Sequence, residues 1–215
     1  MSFKIVEPVE FLCESNYYLI NGTKYPRVTR VKSIISNPGL VNWQIAVGKK
    51  KANDIMKTRG DFGTSIHKLI ELTLDGKAID LSNYDEETNV TMKLFDDFTT
   101  DHDVKPKLLE QHLWLDLSKD YRYAGTVDFV GYVDGKLMIL DWKTSKAIYD
   151  DYWLQLAAYI VALEALTGER VDSCGILHIR DGKKKFVVKS YKEMMDEFKV
   201  FKACLVVYNR YRVKK

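Results

Sequence analysis

Two aspartates and a lysine flank one tight turn in the run Gly125-Thr126-Val127-Asp128-Phe129-Val130-Gly131-Tyr132-Val133-Asp134-Gly135-Lys136-Leu137-Met138-Ile139-Leu140-Asp141-Trp142-Lys143. Asp134-Gly135 between apolar runs predicts a two-residue type I′ hairpin, the turn whose twist matches paired strands. That loop pairs Val133 with Lys136, and stepping outward sets Asp128 opposite Asp141, with Cβ atoms about 4.5–5.5 Å apart. Lys143 shares their face, because strand side chains alternate. Val130, Tyr132, Leu137 and Ile139 are expected on that face, and Val127, Phe129, Leu140 and Trp142 on the other. Strands apolar on both faces are interior strands. Two facing carboxylates at a core edge repel, and burying them is costly unless a cation lies between them. A divalent ion answers this, and hard oxygen ligands suit Mg²⁺ or Mn²⁺. Such an ion would polarise a phosphate and acidify a water, while the Lys143 ammonium orients that water or stabilises developing charge. Two other readings compete. Asp141 and Lys143 could form a strand-end salt bridge with Asp128 unrelated, or the aspartates could act on a sugar from about 5 Å apart, which leaves Lys143 no part.

Other polar groups could complete such a site. His67 and Glu71 are four apart, hence on one helix face, and an imidazole there could ligate Mn²⁺ with Glu71 as its outer partner. The same spacing also describes an ordinary surface pair. Gln155 and Tyr159 share a face of another helix, with Tyr152 three residues before, and could hydrogen-bond the lysine, a phosphate or a base. Glu110, on a strand face with His112 and Trp114, is a further candidate metal ligand.

The elements that must carry these groups follow from pattern. Asn21-Gly22 predicts an N-terminal hairpin, and Thr29 a cap for a short helix bearing Val31, Ile34 and Ile35. A helical region is expected at about 40–57, and Gly60 and Gly63 to open a helix ending near Leu74. Another helix is expected at 85–100. Strands are expected from about 109 to 117, at 124–133 and at 136–143, then a helix at 149–167. Strands at 173–180 and 184–190 flank Asp181-Gly182, and a last helix carries Met194, Phe198, Phe201 and Leu205. The sum is an α/β or α+β fold, a mainly antiparallel sheet with helices on its faces.

Composition excludes several classes. The chain has 215 residues, 46% hydrophobic and 29% charged, with a net charge of +3. That suits one domain able to bury its own core. Three cysteines without a CxxC pair argue against a disulfide scaffold, a zinc ribbon or a cysteine-held cluster, and fit a reducing cytosol. The longest apolar run falls far short of the roughly 20 residues of a membrane helix. The opening MSFKIVEPVE lacks a signal-peptide core. No GxxxxGK[ST] element appears, so no nucleotide cofactor or motor is expected. Basic clusters at Lys49-Lys50-Lys51, Lys183-Lys184-Lys185 and the tail Arg210, Arg212, Lys214 and Lys215 are candidate polyanion contacts.

Taken in order, Gly63-Thr64-Ser65-Ile66-His67, Glu110, Gly125-Thr126-Val127-Asp128, Asp141-Trp142-Lys143-Thr144-Ser145 and Gln155-Leu156-Ala157-Ala158-Tyr159 resemble the PD-(D/E)XK nuclease superfamily. The closer likeness is to its RecB-like exonuclease branch, which includes the mitochondrial genome-maintenance exonuclease and many phage nucleases. The resemblance spans about 25–165. It implies a restriction-endonuclease-like core, a mixed central sheet flanked by helices, and metal-dependent hydrolysis of DNA. It also implies Asp128, Asp141 and the backbone carbonyl of Trp142 as metal ligands, with His67 as ligand or substrate contact and Lys143 serving the attacking water. Gln155 and Tyr159 match the branch's Gln-x-x-x-Tyr element, which contacts DNA or supports the lysine, and Thr144 and Ser145 extend the lysine motif. Val127 stands where the superfamily's name has Pro, and Asp141 takes the Asp/Glu position.

The resulting expectation is one nuclease domain over 1–215: a hairpin and helical extension at 1–58, a core at 59–190 and a terminal helix at 191–215. Its partner would be DNA, its metal Mg²⁺ or Mn²⁺ and its place the cytoplasm, that of the host if a phage encodes it. Any helicase or recombination partner would be a separate chain. Small size and the missing motor point to phage-type repair, recombination or degradation. The alternatives are a binding module that has lost the chemistry and a site-specific endonuclease.

Overall fold

The structure, a computed structural model, describes residues 5, 8, 10–35 and 37–211. Of the basic tail, Arg212, Lys214 and Lys215 lie outside this set.

Three short strands, β1 (Phe11–Cys13), β2 (Tyr17–Ile20) and β3 (Thr23–Pro26), make an antiparallel sheet. Three helices follow: α1 (Val28–Lys32), α2 (Pro38–Val47) and α3 (Lys49–Leu74). After a 3₁₀ turn at Leu81–Asn83 come α4 (Glu86–Asp101), β4 (Val104–Ser118), β5 (Tyr121–Val133) and β6 (Lys136–Lys143). Helix α5 (Asp150–Thr167) leads to β7 (Ser173–Arg180), β8 (Lys183–Ser190) and α6 (Tyr191–Tyr211). The central sheet has the order β4-β5-β6-β7-β8. Only β6 and β7 run parallel, and α5 is their crossover.

Each Asx-Gly pair read as a hairpin turn is one. Asn21 and Gly22 have φ of 46° and 73°, Asp134 and Gly135 50° and 78°, and Asp181 and Gly182 51° and 70°. These are the left-handed conformations a type I′ turn requires. Val133 pairs with Lys136 as the Asp134-Gly135 loop dictates.

Helices cover both faces of the sheet. Residues of α1, α5 and α6 pack with Val130, Leu137, Ile139 and Ile176 in one core. Ile66, Leu69 and Ile70 of α3 and Met92, Phe95 and Phe98 of α4 pack with Phe129, Leu140 and Trp142 in a second core. The small N-terminal sheet buries Tyr18, Ile20 and Tyr25 over Ala124, beside Trp114. This is a mixed central sheet between helices with an N-terminal hairpin extension, as the family resemblance implies. Among the described residues no helix is long and apolar enough to cross a membrane.

Three local expectations are corrected. Gly60 and Gly63 do not open a helix; they lie inside α3, whose true break from α2 is Gly48 at φ 89°. A Cβ on Gly63 would lie 3.3 Å from Thr144 Oγ1, so the glycine lets α3 pass close to the segment after Lys143. Thr29 is within α1, whose cap is Arg27. Val127 packs in the α5-side core rather than with Phe129, Leu140 and Trp142. The break in alternation falls at Asp128, level with Glu110 of β4, which lies between the pairs Leu109–Phe129 and Gln111–Val127 and has a left-handed φ of 47°.

Candidate active site

The β5–β6 ladder ends at Phe129–Leu140, one step before Asp128 and Asp141. Beyond it β6 stays paired only to β7, Asp141 to Ile176 and Lys143 to His178. The Asp128 carboxylate replaces the missing strand partner: Trp142 N–H donates to its Oδ2 at 3.1 Å. The hairpin register holds as far as the site, where a carboxylate accepts the backbone donor.

Helix α3 brings His67 against both strands. Its Nε2 donates to the Trp142 carbonyl at 2.8 Å, and its Nδ1 lies 3.3 Å from Asp128 Oδ2. Glu71, the expected outer partner of His67, is instead paired with Lys68 at 2.6 Å. The residue that orients His67 is Trp142, seventy-five positions away in the chain. His67, Glu110 and Asp128 each present a ligand atom within 4.8 Å of the others, a group able to hold a metal ion.

Asp141 is 2% exposed, and Lys143 Nζ lies 2.5 Å from its Oδ2. Asp141 pairs with its own strand neighbour, since both side chains leave β6 on one face.

Burial and charge set the protonation states. Burial disfavours charge on His67, but the Asp128 carboxylate outweighs it and lifts the imidazole to about 9. Asp128 is likewise opposed by burial, yet His67 and Lys143 hold it below the usual carboxylate range. Asp141 is pushed up, chiefly by burial, although Lys143 pulls the other way. Burial works against the Lys143 ammonium, and Asp141 and Asp128 more than offset it, so its value is raised. Glu110 is pushed up to about 7 by burial and by the nearby Asp128. At neutral pH the group is a cationic imidazole and ammonium interleaved with acids.

Gln155 and Tyr159 lie behind this cluster, not on a surface. Both are buried, and Gln155 Nε2 donates to the Tyr159 hydroxyl at 3.3 Å. The Tyr159 ring lies where a Cβ on Gly125 would be, 2.6 Å from its Cε1. Thr144 and Ser145 are tied down through their carbonyls, to Arg180 Nη1 at 3.2 Å and His178 Nε2 at 2.7 Å. Lys49, Lys50 and Lys51 are exposed at the start of α3. At 1.5 Å per residue they stand roughly 25 Å from His67 along the helix.

One neighbour escaped the sequence reading. Lys32 of α1 is buried, pairs with Asp151 at 2.8 Å and stands 4.7 Å from the centre of the Tyr152 ring. The available signal was its position four residues after buried Val28.

Comparisons with known proteins bear on this geometry. The family model described as the PD-(D/E)XK nuclease superfamily matches residues 89–209, more than half of the chain. A search of curated proteins returns no match. Among solved structures, the crystal structure of SSO0001 aligns at 11% identity and a TM-score of 0.44, over 88% of this chain and 76% of that one. The matched span holds Glu110, Asp128, Asp141 and Lys143, and leaves His67 to be assigned on geometry alone. With its acidic residues and lysine on adjacent central strands inside that span, the chain belongs to the PD-(D/E)XK nuclease superfamily.

Proposed function

We propose that the chain is a divalent-metal-dependent DNA nuclease of the RecB-like branch, acting from DNA ends. The observation that carries this is the convergence of His67, Glu110 and Asp128 within 4.8 Å beside the buried Asp141–Lys143 pair.

The residues fit a metal. His67, Glu110 and Asp128 present ligand atoms within 4.8 Å of one another, and protonated His67 sits between two acceptors, Asp128 and the Trp142 carbonyl. Asp128, Asp141, Glu110, His67 and that carbonyl would hold the ion. Mainly oxygen donors with one imidazole suit Mg²⁺ or Mn²⁺. When bound, the ion supplies Lewis-acid polarisation of the scissile phosphate.

The chain's own groups do the rest. Lys143, held as an ammonium by Asp141, stabilises negative charge as it develops on the phosphate and orients the attacking water. Tyr159 and Gln155 back the strands beneath Asp128. Thr144 and Ser145, anchored on β7, and Lys49, Lys50 and Lys51 are the proposed DNA contacts. The region 1–215 acts as one nuclease domain of phage-type DNA repair, recombination or degradation. Its free cysteines, Cys13, Cys174 and Cys204, fit a cytoplasmic setting.

The test is degradation of end-labelled DNA by the wild-type protein and by Lys143→Ala, with Mn²⁺, Mg²⁺ or EDTA. Ion-dependent loss of label with the wild type only is expected. Equal degradation by both proteins refutes the assignment, and metal-independent binding without product would make this a binding module. Cleavage of closed circular DNA would replace the end-dependent reading with an endonuclease.

A further inference from the structure

Tyr152, in the first turn of α5, has two cations against its ring. Lys143 Nζ lies 4.7 Å from the ring centre and Lys32 Nζ also 4.7 Å. Ammonium groups over an aromatic face are attracted by its quadrupole, more strongly where water is excluded. Lys32 is fixed in turn. It is 9% exposed, and its ammonium is 2.8 Å from Asp151, the residue beside Tyr152. A lysine in this setting is an expensive way to hold α1 in place, since burying an ion pair seldom gains more than apolar packing of the same volume.

We propose that Lys32 is a positioning residue for Lys143, acting through Tyr152, so that α1 sets the alignment of the reactive ammonium. The chain of contact is Asp151 to Lys32, Lys32 to one part of the Tyr152 ring, and that ring to Lys143, whose ammonium also meets Asp141. Lys32 has no contact with the His67, Glu110 and Asp128 group and need not touch substrate. The proposal rests on the nuclease reading for its effect on rate, though not for its effect on Lys143 itself.

The test compares wild type, Lys32→Met, Lys32→Arg, Tyr152→Leu and the Lys32→Met/Tyr152→Leu double variant. With Mn²⁺ and a labelled oligonucleotide, Lys32→Met should lower kcat about ten- to a hundredfold, the scale of a misplaced group. KM and thermal midpoint should stay near wild type, because methionine fills the volume without a buried charge. Lys32→Arg should restore most of kcat. In the Tyr152→Leu background, Lys32→Met should add no further loss, because both changes break one chain of contacts. A rise in KM in proportion would mark Lys32 as a substrate contact and overturn the proposal. Unchanged kcat, multiplying losses or a loss explained by a lower thermal midpoint would overturn it too.

A second reading needs no turnover. In protein carrying ¹³C-lysine, the Lys143 ε-methylene protons, assigned by their disappearance in Lys143→Arg, should be shifted by the Tyr152 ring current. That shift should collapse in Lys32→Met and in Tyr152→Leu. An unmoved signal in Lys32→Met overturns the positioning role whether or not the wild type cuts DNA. Absent cleavage with a collapsing shift would instead remove only the nuclease reading.

Discussion

The imidazole of His67 donates from Nε2 to the backbone carbonyl of Trp142 at 2.8 Å, with its other nitrogen 3.3 Å from Asp128. A cationic ring thus occupies the space between two acceptors. On the proposed metal role, binding an ion at His67 would displace a proton from the ring.

Manganese affinity should rise with pH. His67 is held at about 9 and Glu110 at about 7, so at pH 7 the ring carries a proton and the acid carries part of one. Ligation needs both deprotonated. Calorimetric titrations in buffers of different ionisation enthalpy should show release of about one proton or more per ion at pH 7. His67→Ala should weaken binding about 10- to 100-fold and reduce that release.

The metal-free protein should lose stability as pH rises. A raised histidine pKa adds stability that is complete below its unfolded value of 6.5 and is lost on passing about 9. Urea midpoints measured in EDTA should fall between these limits. In His67→Ala that decline should be smaller.

Lys143→Met should destabilise the metal-free protein by about 3 kcal/mol at pH 8, the scale for stranding one partner of a buried pair. Asp141, already raised by burial, can escape by taking a proton. The loss should thus shrink at pH 5. Urea denaturation at both values checks this.

Glu110→Asn should separate stability from metal binding. The position has φ 47°, which asparagine tolerates better than glutamate, and the change removes a carboxylate facing Asp128. Metal-free stability should rise by roughly 1 kcal/mol, while manganese affinity falls. A drop in both would show that the backbone here is not strained.

Gly125→Ala should cost about 1–3 kcal/mol by overpacking. Its Cβ would fall 2.6 Å from the ring of buried Tyr159 and 2.8 Å from its hydroxyl. Denaturation of the metal-free and manganese-loaded protein should show it in both states.

Much of this was legible in advance. The three Asx-Gly turns set hairpin registers, and a two-residue loop left Val133 only Lys136 to pair with. The stripe on α3 was readable in Ile66, Leu69 and Ile70, although Gly60 and Gly63 falsely suggested a helix start. Glycine is permitted within a helix wherever packing repays it, and Thr144 against Gly63 could not be seen along the chain. Nor could the left-handed backbone at Glu110, a non-glycine residue in a run of strand formers.

By itself the sequence determined the alternation that sends Asp141 and Lys143 to one side of β6 and the turn that carries Asp128 alongside, because both are local properties of strand and hairpin. Tertiary structure alone decided which acid meets which cation. His67 reaches Trp142 and Asp128, Asp141 is left to Lys143, and Lys32 comes to Tyr152, through the packing of α1 and α3 on opposite faces of the sheet. Such pairings depend on distances between elements far apart in the chain, and charge acts through those distances rather than along the backbone.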